Sequence, residues 1–404
     1  MKLLLQHANL IDGTGAPVQA NIDVLIEDKK IVAVHPSSET RDTQTVESVA
    51  EIIDLQGQFL LPGLWDAHAH LGMVFPQTDL SKTPHHELPS ERTVRCGHAA
   101  MQTLDVGVTN VRVVGEADYV DIAWKKAFAS GMFTGPRLFV CGRALIATGG
   151  HGWGHGNSVQ VDGPYEVRKA AREQMKRGAD QIKLMITGGV ASPTETMHEP
   201  QMTFDEIQAA VEVAQFKGRK VCAHIGGSLG AKMAVKAGVA SVEHGYFLDD
   251  EALEMMAESG TFYVPTLAVT QDMDFVMANN AEFAIKKILA AAPGHLDTFQ
   301  RALQAGVKIA TGEDMPVPFA ERIITEIETM VGAGMDTMAA LVASTRHAAE
   351  LCSVDDQLGT VEVGKLADLI VVSNNPLENI SHLRDLQLVF KEGQLVRDYR
   401  DHHA

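Results

Sequence analysis

The stretch LLPGLWDAHAHLG, Leu60–Gly72, places His68 and His70 two residues apart at the end of an apolar run that Pro62 and Gly63 punctuate. Residues i and i+2 of a strand point to the same face, so both imidazoles are expected to project into one space. Two adjacent imidazoles suit a single metal ion. The plain alternative is a surface loop that happens to contain histidine. The rest of the chain decides between them.

Upstream, KLLLQHANLID, NIDVLIEDKKIVAV and EIIDLQGQFLLPG read as short strands separated by Gly13, Gly15, Pro17 and a charged EDKK turn. The same texture returns near the C-terminus in ADLIVVSNN and LQLVFKEGQLVRD. Both ends are therefore expected to build one small β domain. Between them the pattern alternates, as βα units around a parallel sheet do. Apolar runs at LLPGLWDAHAH, VTNVRVVG, RLFVCG, QIKLMITGG, KVCAHIGG, ASVEHG, TFYVPTL and VKIATGED give eight strand candidates. Helices are expected at Pro164–Arg177, Phe204–Lys217, Leu229–Ala237, Asp249–Ser259 and Leu296–Ala305. Thr203 with Glu206 three residues later is a capping-box signature.

No GxGxxG follows the first strand, so a dinucleotide fold has little support. The expected fold is α/β: a (β/α)8 TIM-type barrel with a small β-sandwich formed by both termini. The expected divisions are 1–60 for the N-terminal part of the sandwich, 61–354 for the barrel and 355–404 for the C-terminal part. Long loops after CGRALIATGG and TGGVASPTETMHEPQ are the kind that line an active face.

Composition narrows the classes. The 404 residues carry a formal net charge of -18 and are 45% hydrophobic. An acidic surface argues against nucleic acid or an anionic membrane as partner, and no segment has the roughly 20 apolar residues of a spanning helix. Cys96, Cys141, Cys222 and Cys352 are scattered without paired spacing, which points to reduced thiols. A cytoplasmic location is expected, or an exported one if a leader preceded residue 1.

In a barrel the strand ends converge on one face, where catalysis sits. Those ends supply His68 and His70, then Lys183, His224, His244 and Asp314. Singly, each has a dull explanation: a core histidine, an ion-paired lysine, a helix-capping aspartate. Together at one end of one barrel they form a ligand set. Lys183 is the odd member, because an ammonium repels cations and burial disfavours its charge. A neutral amine that captures carbon dioxide becomes an anionic carbamate able to bridge two metals.

The chain resembles the amidohydrolase superfamily, in the branch of Xaa-Pro and Xaa-basic dipeptidases, imidazolonepropionase-like proteins and ochratoxin-hydrolysing amidases. The shared text includes LLPGLWDAHAH, TGGHG, IKLMITGGVAS, CAHIGG, SVEHG, FYVPTL, AGVKIATGED and GTVEVGKLADLIVV. The resemblance implies two divalent ions, of the zinc type. His68, His70 and Asp314 would hold one and His224 and His244 the other, bridged by N6-carboxylated Lys183 and a hydroxide. General metal chemistry then has the hydroxide attack a polarised carbonyl, with Asp314 as proton carrier. Similar proteins place a histidine where His151 stands to stabilise the oxyanion, while Tyr246 either touches substrate or simply packs.

Three places differ from the branch: Gly226 in AHIGG where relatives often have a second histidine, Tyr246 where many have a small residue, and GEDMP in place of GTDAG. All three are expected to line the pocket and to alter substrate fit. Arg92, Arg95 and Arg143 are candidate carboxylate clamps, though helix-face or turn charges are the better reading. His85 and His86 fall in a lid-like segment and are read as exposed.

The expected function is hydrolysis of an amide bond in a dipeptide, an N-acyl amino acid or an ochratoxin-like amide with a free carboxylate. Lactonase, cyclic-amide hydrolase or deaminase activity is the alternative, and a non-catalytic assembly protein is the weakest one. Lys183 argues against a one-metal deaminase. Homo-oligomer formation is expected by analogy with relatives.

Overall fold

The computed structural model describes residues 2–40, 50–73, 87–314 and 321–400. The pair His85 and His86, and residues 315 and 316 of GEDMP, lie outside them. Strand β1 (Lys2–Leu10) pairs antiparallel with β2 (Gln19–Glu27), which pairs with β3 (Lys30–Pro36). Strands β4 (Glu51–Asp54) and β5 (Phe59–Pro62) both run parallel to β1, beside its first and second halves.

Gly63 alone separates β5 from β6 (Leu64–Ala69). A Cβ there would come within 2.2 Å of Thr109 Oγ1, so the closeness of the next strand demands glycine. Parallel strands follow: β7 (Val108–Val113), β8 (Arg137–Val140), β9 (Ala144–Ile146), β10 (Ser158–Gln160), β11 (Gln181–Met185), β12 (Lys220–Gly227), β13 (Ser241–Phe247) and β14 (Phe262–Val264). Their near-continuous apolar runs, such as buried Ile182 and Leu184, reflect burial on both faces. Where a long loop is expected after CGRALIATGG, β9 and β10 pair and frame the glycine-rich turn between them.

Hydrogen bonding groups these strands in the orders β6-β7-β8 and β10-β9-β11-β12-β13-β14. Further backbone bonds link the groups. Asp180 N donates to Val140 O at 2.7 Å. Beyond β14, Tyr263 N donates to Lys308 O at 2.8 Å and Ala67 N donates to Thr311 O at 2.8 Å. Residues 308–314 are thus bonded to β14 on one side and β6 on the other, which brings VKIATGED beside the opening stretch.

Helices pack outside these strands at Gly163–Arg177, Phe204–Gln215, Ser228–Ala237 and Asp250–Ser259, each within two residues of the expected bounds. The expected Leu296–Ala305 helix is far longer, Glu282–Gln304. Its buried face runs through Ala284, Ile288, Ala291, His295, Thr298 and Phe299, so helical periodicity continues across Pro293-Gly294. Gly294 also lets β13 approach, since a Cβ would lie 2.7 Å from Phe247.

Near the C-terminus β15 (Leu369–Val372), β16 (Leu386–Lys391) and β17 (Gln394–Asp398) join β5 through β15. Strands from both chain ends therefore share one sheet, ordered β17-β16-β15-β5-β1-β2-β3 with β4 beside β1. Leu3, Leu5, Val24 and Ile26 pack with Leu369, Val371, Leu388 and Phe390 in one apolar cluster. Among the described residues, no helix is long and apolar enough to cross a membrane.

Candidate active site

Alternation along β6 turns His68 and His70 to one face, with ring centroids 5.6 Å apart. Asp314 meets both: its Oδ1 lies 3.2 Å from His68 Nε2 and 3.3 Å from His70 Nε2. One ligand atom from each of these three residues falls within 4.8 Å of the others. His244 on β13 places its ring 4.9 Å from His68, and His224 on β12 lies 4.6 Å from His244. Lys183 on β11 is 1% exposed, and its Nζ has no hydrogen-bond partner among the described residues. All six line one cleft, of about 950 Å³, together with His151 and Tyr246.

The donor set fits metal ions. Each histidine has one ring nitrogen engaged from outside and the other left for a ligand bond, the usual arrangement around a metal. His68 Nδ1 contacts Glu243 Oε2 at 2.6 Å, His70 Nδ1 contacts Gly115 O at 3.0 Å, and His244 Nδ1 contacts Thr266 Oγ1 at 2.8 Å. His224 uses Nε2 instead, 3.3 Å from Gly188 O. Burial, then the neighbouring His151 and His244, push the His224 imidazole well below its ordinary range. Burial likewise dominates at His244 and overcomes the pull of Asp314. Both shifts favour the neutral ring, the form that binds metal. Burial raises Asp314, but His68 and His70 outweigh it and hold the carboxyl well below the usual range.

Two of these positions carry backbone strain. His244 has φ +67° and Asp314 has φ +56°, left-handed values that cost a non-glycine residue roughly 1 kcal/mol or more. Tyr263 Oη donates to His244 O at 2.7 Å, and Asp314 N donates to His68 O at 2.8 Å. Those bonds hold the two residues where they are.

Behind His68 stands a pair the sequence reading passed over. Arg112 on β7 reaches Glu243 at 2.7 Å and 2.8 Å, and both are at most 1% exposed. Arg112 also donates to Ser241 Oγ at 3.0 Å and to Ala67 O. Glu243 thus faces a cation on one side and His68 on the other. A lone arginine in the apolar run VTNVRVVG was the available signal.

His151 lies in the turn between β9 and β10, stacked on the His224 ring at 4.1 Å. Its Nδ1 contacts Glu195 Oε1 at 2.8 Å. Tyr246 is 1% exposed, stacked on His244 at 5.6 Å and edge-on to His295 at 5.0 Å. It packs and also forms part of the cleft wall.

The three arginine candidates stand elsewhere. Arg92 and Arg95 pair with Glu87, Arg143 lies 3.7 Å from Asp118, and none lines the cleft. Gly226 corrects an expectation: it does not line the cleft but sits beneath Met197, whose O would lie 2.3 Å from an added Cβ. The loop after β11 occupies the space a side chain would need. Glu313 is likewise buried outside the cleft lining, at 2% exposure.

Among the described residues, His68, His70 and Asp314 form a group that could hold a metal ion, with Lys183 buried in the same cleft. Residues 59–396 match the amidohydrolase family, and the chain belongs to that family. It is an enzyme, a hydrolase acting on carbon–nitrogen bonds. It is 32% identical to ochratoxinase of Aspergillus niger, over 96% of this chain and 85% of that protein. Among solved structures, a Xaa-Pro dipeptidase with methionine bound in its active site superposes with a TM-score of 0.90 at 35% identity, covering 98% of this chain and all of that one. The A. niger ochratoxinase structure gives 0.88 at 29% identity, with 99% of this chain and 96% of that one covered. Such neighbours imply an α/β fold of the TIM-barrel type.

Proposed function

We propose that this chain hydrolyses the amide bond of a dipeptide, an N-acyl amino acid or an amino-acid-linked aromatic amide, at a centre for two divalent ions. The strands from β6 to residues 308–314 form its barrel, and the shared sheet of both termini forms its second domain. The observation that carries the reading is the buried Nζ of Lys183, unpartnered among the described residues, in the cleft it lines with His224, His244 and Asp314. Burying an ammonium without hydrogen-bond partners is costly. Reaction of the neutral amine with carbon dioxide forms an N–C bond and releases one proton, leaving an anionic carbamate. His68, His70 and Asp314 would hold one ion, His224 and His244 the other, and the carbamate both.

Ions bound there would supply an acidified water and polarise the scissile carbonyl. Asp314, held ionised, accepts the proton of the attacking water and returns it to the departing amine nitrogen. His151, through Nε2, donates to the carbonyl oxygen as it gains charge. Tyr246, Val269, Phe283, Ala284 and Ile288 give the cleft an apolar wall, which suits an apolar or aromatic substituent. Neutral polar groups of the wall, Asn157 and Asn280 among them, are the described candidates to meet a substrate carboxylate.

The test is turnover of N-acyl amino acids, Xaa-Pro and Xaa-basic dipeptides, aromatic amides and lactones, with added zinc and bicarbonate. One of the amides is expected to turn over. Lys183→Ala should lower that rate by at least about a hundredfold, with partial recovery on adding short carboxylic acids. A Lys183→Ala protein as active as the parent would refute the carbamate.

A further inference from the structure

The loop after β11 carries Glu195, 8% exposed, with its carboxylate turned to His151. Glu195 Oε1, 2.8 Å from His151 Nδ1, also accepts from Ser192 N at 3.1 Å. Its Oε2 accepts from Gln201 Nε2 at 3.3 Å. Gln201 Oε1 in turn accepts from the His151 backbone N–H at 2.8 Å. From the helix Glu282–Gln304, Lys287 donates to Gly189 O at 3.2 Å, to Glu195 O at 2.6 Å and to Ser192 O. One ammonium thus ties three carbonyls of the loop that presents Glu195.

The imidazole is held on other sides as well. It stacks on His224 with only 18° between the planes. Gly189 presses on the Nδ1–Cε1–Nε2 arc, where an added Cβ would come within 2.4 Å of Cε1 and 2.9 Å of Nε2. Among the described residues, the carboxylate that meets this confined ring is that of Glu195. Second contacts of this kind fix ring orientation at active histidines.

We propose that Glu195 is the positioning residue of the site. By engaging Nδ1 it fixes the His151 ring so that Nε2 is the nitrogen presented to the substrate oxygen, with Lys287 holding the loop that carries Glu195. This inference rests on the amide-hydrolase reading above, and deepens it. Glu195 touches no reacting atom and acts through His151.

The test compares the parent with Glu195→Gln and Glu195→Ala, each loaded with zinc. A positioning role predicts kcat reduced roughly 10- to 100-fold with KM changed less than about threefold, and metal content unaltered. Glu195→Gln, which keeps an acceptor oxygen, should retain more kcat than Glu195→Ala. Full kcat in Glu195→Ala, or equal losses through KM, would overturn the role while leaving amide hydrolysis intact. A second readout needs no turnover: nitrogen NMR of protein labelled at the histidine rings, with His151→Asn supplying the assignment. The hydrogen-bonded His151 Nδ1 resonance should shift in Glu195→Ala, and an unchanged resonance would also overturn the proposal. A parent that hydrolyses no amide yet shows the shift would sink the function and keep the geometry.

Discussion

At the scale of single residues, the centre depends on groups that water cannot reach. Arg112 and Glu243 form a bidentate pair in the interior, and Glu243 also bonds His68. A buried pair contributes little over an apolar substitute, but removing one partner strands the other charge. Glu243→Ala should therefore lower stability by roughly 3–5 kcal/mol, read by chemical denaturation of metal-free protein. A change under about 1 kcal/mol would show that Arg112 finds another partner. That His68, His70, Lys183, His224, His244 and Asp314 would meet in one cleft was legible because they interrupt apolar runs at strand ends. Glu243 was not, since its contacts depend on which strands neighbour β13, and sequence spacing does not give that. Gly226 was misplaced for the same reason: the Met197 loop that covers it comes from another strand.

At the scale of elements, local chemistry predicts local structure well. The Thr203–Glu206 capping box forms, with Thr203 N donating to Glu206 Oε2 at 2.7 Å. Glu206 goes further, accepting from Gly163 N through Oε1 at 2.6 Å and so joining the starts of two adjacent helices. Glu206→Ala loses a cap and an inter-helix bond, and should cost about 2 kcal/mol in urea unfolding with an unchanged slope. A loss of a few tenths would mean the second bond contributes nothing. The helix Glu282–Gln304 was read too short, because Pro293-Gly294 carries the signature of a helix boundary. Burial of Ile288, Ala291 and His295 on one stripe overrides that signature, as packing commonly does over propensity.

At the scale of the whole molecule, the shared sheet is fastened to the parallel strands by charge. Asp368, 5% exposed, receives Arg137 of β8 at 2.8 Å, the Glu392 backbone N–H at 2.8 Å, and Lys391. Burial alone would raise its carboxyl, but Lys391 and Arg137 hold it below the ordinary 3.8. The sign follows from that depression. The ionised group's contribution is fully present above pH 3.8 and is lost as pH falls through the lower folded value. Asp368→Asn should thus narrow the gap in denaturation midpoint between neutral and acid pH. An undiminished gap would assign acid sensitivity to other carboxylates. Similar texture at the two chain ends was enough to expect strands from both in one β unit. Their order, with β5 between β1 and β15, depends on non-local pairing that spacing leaves open.

In the proposed function, Lys183 completes a two-ion centre. The most direct test of that centre is metal analysis of purified protein and of Lys183→Ala, both prepared with zinc and bicarbonate. Two ions per chain are expected in the parent, with a clear loss in Lys183→Ala. Fewer than one ion per parent chain, or both ions retained without Lys183, would contradict it.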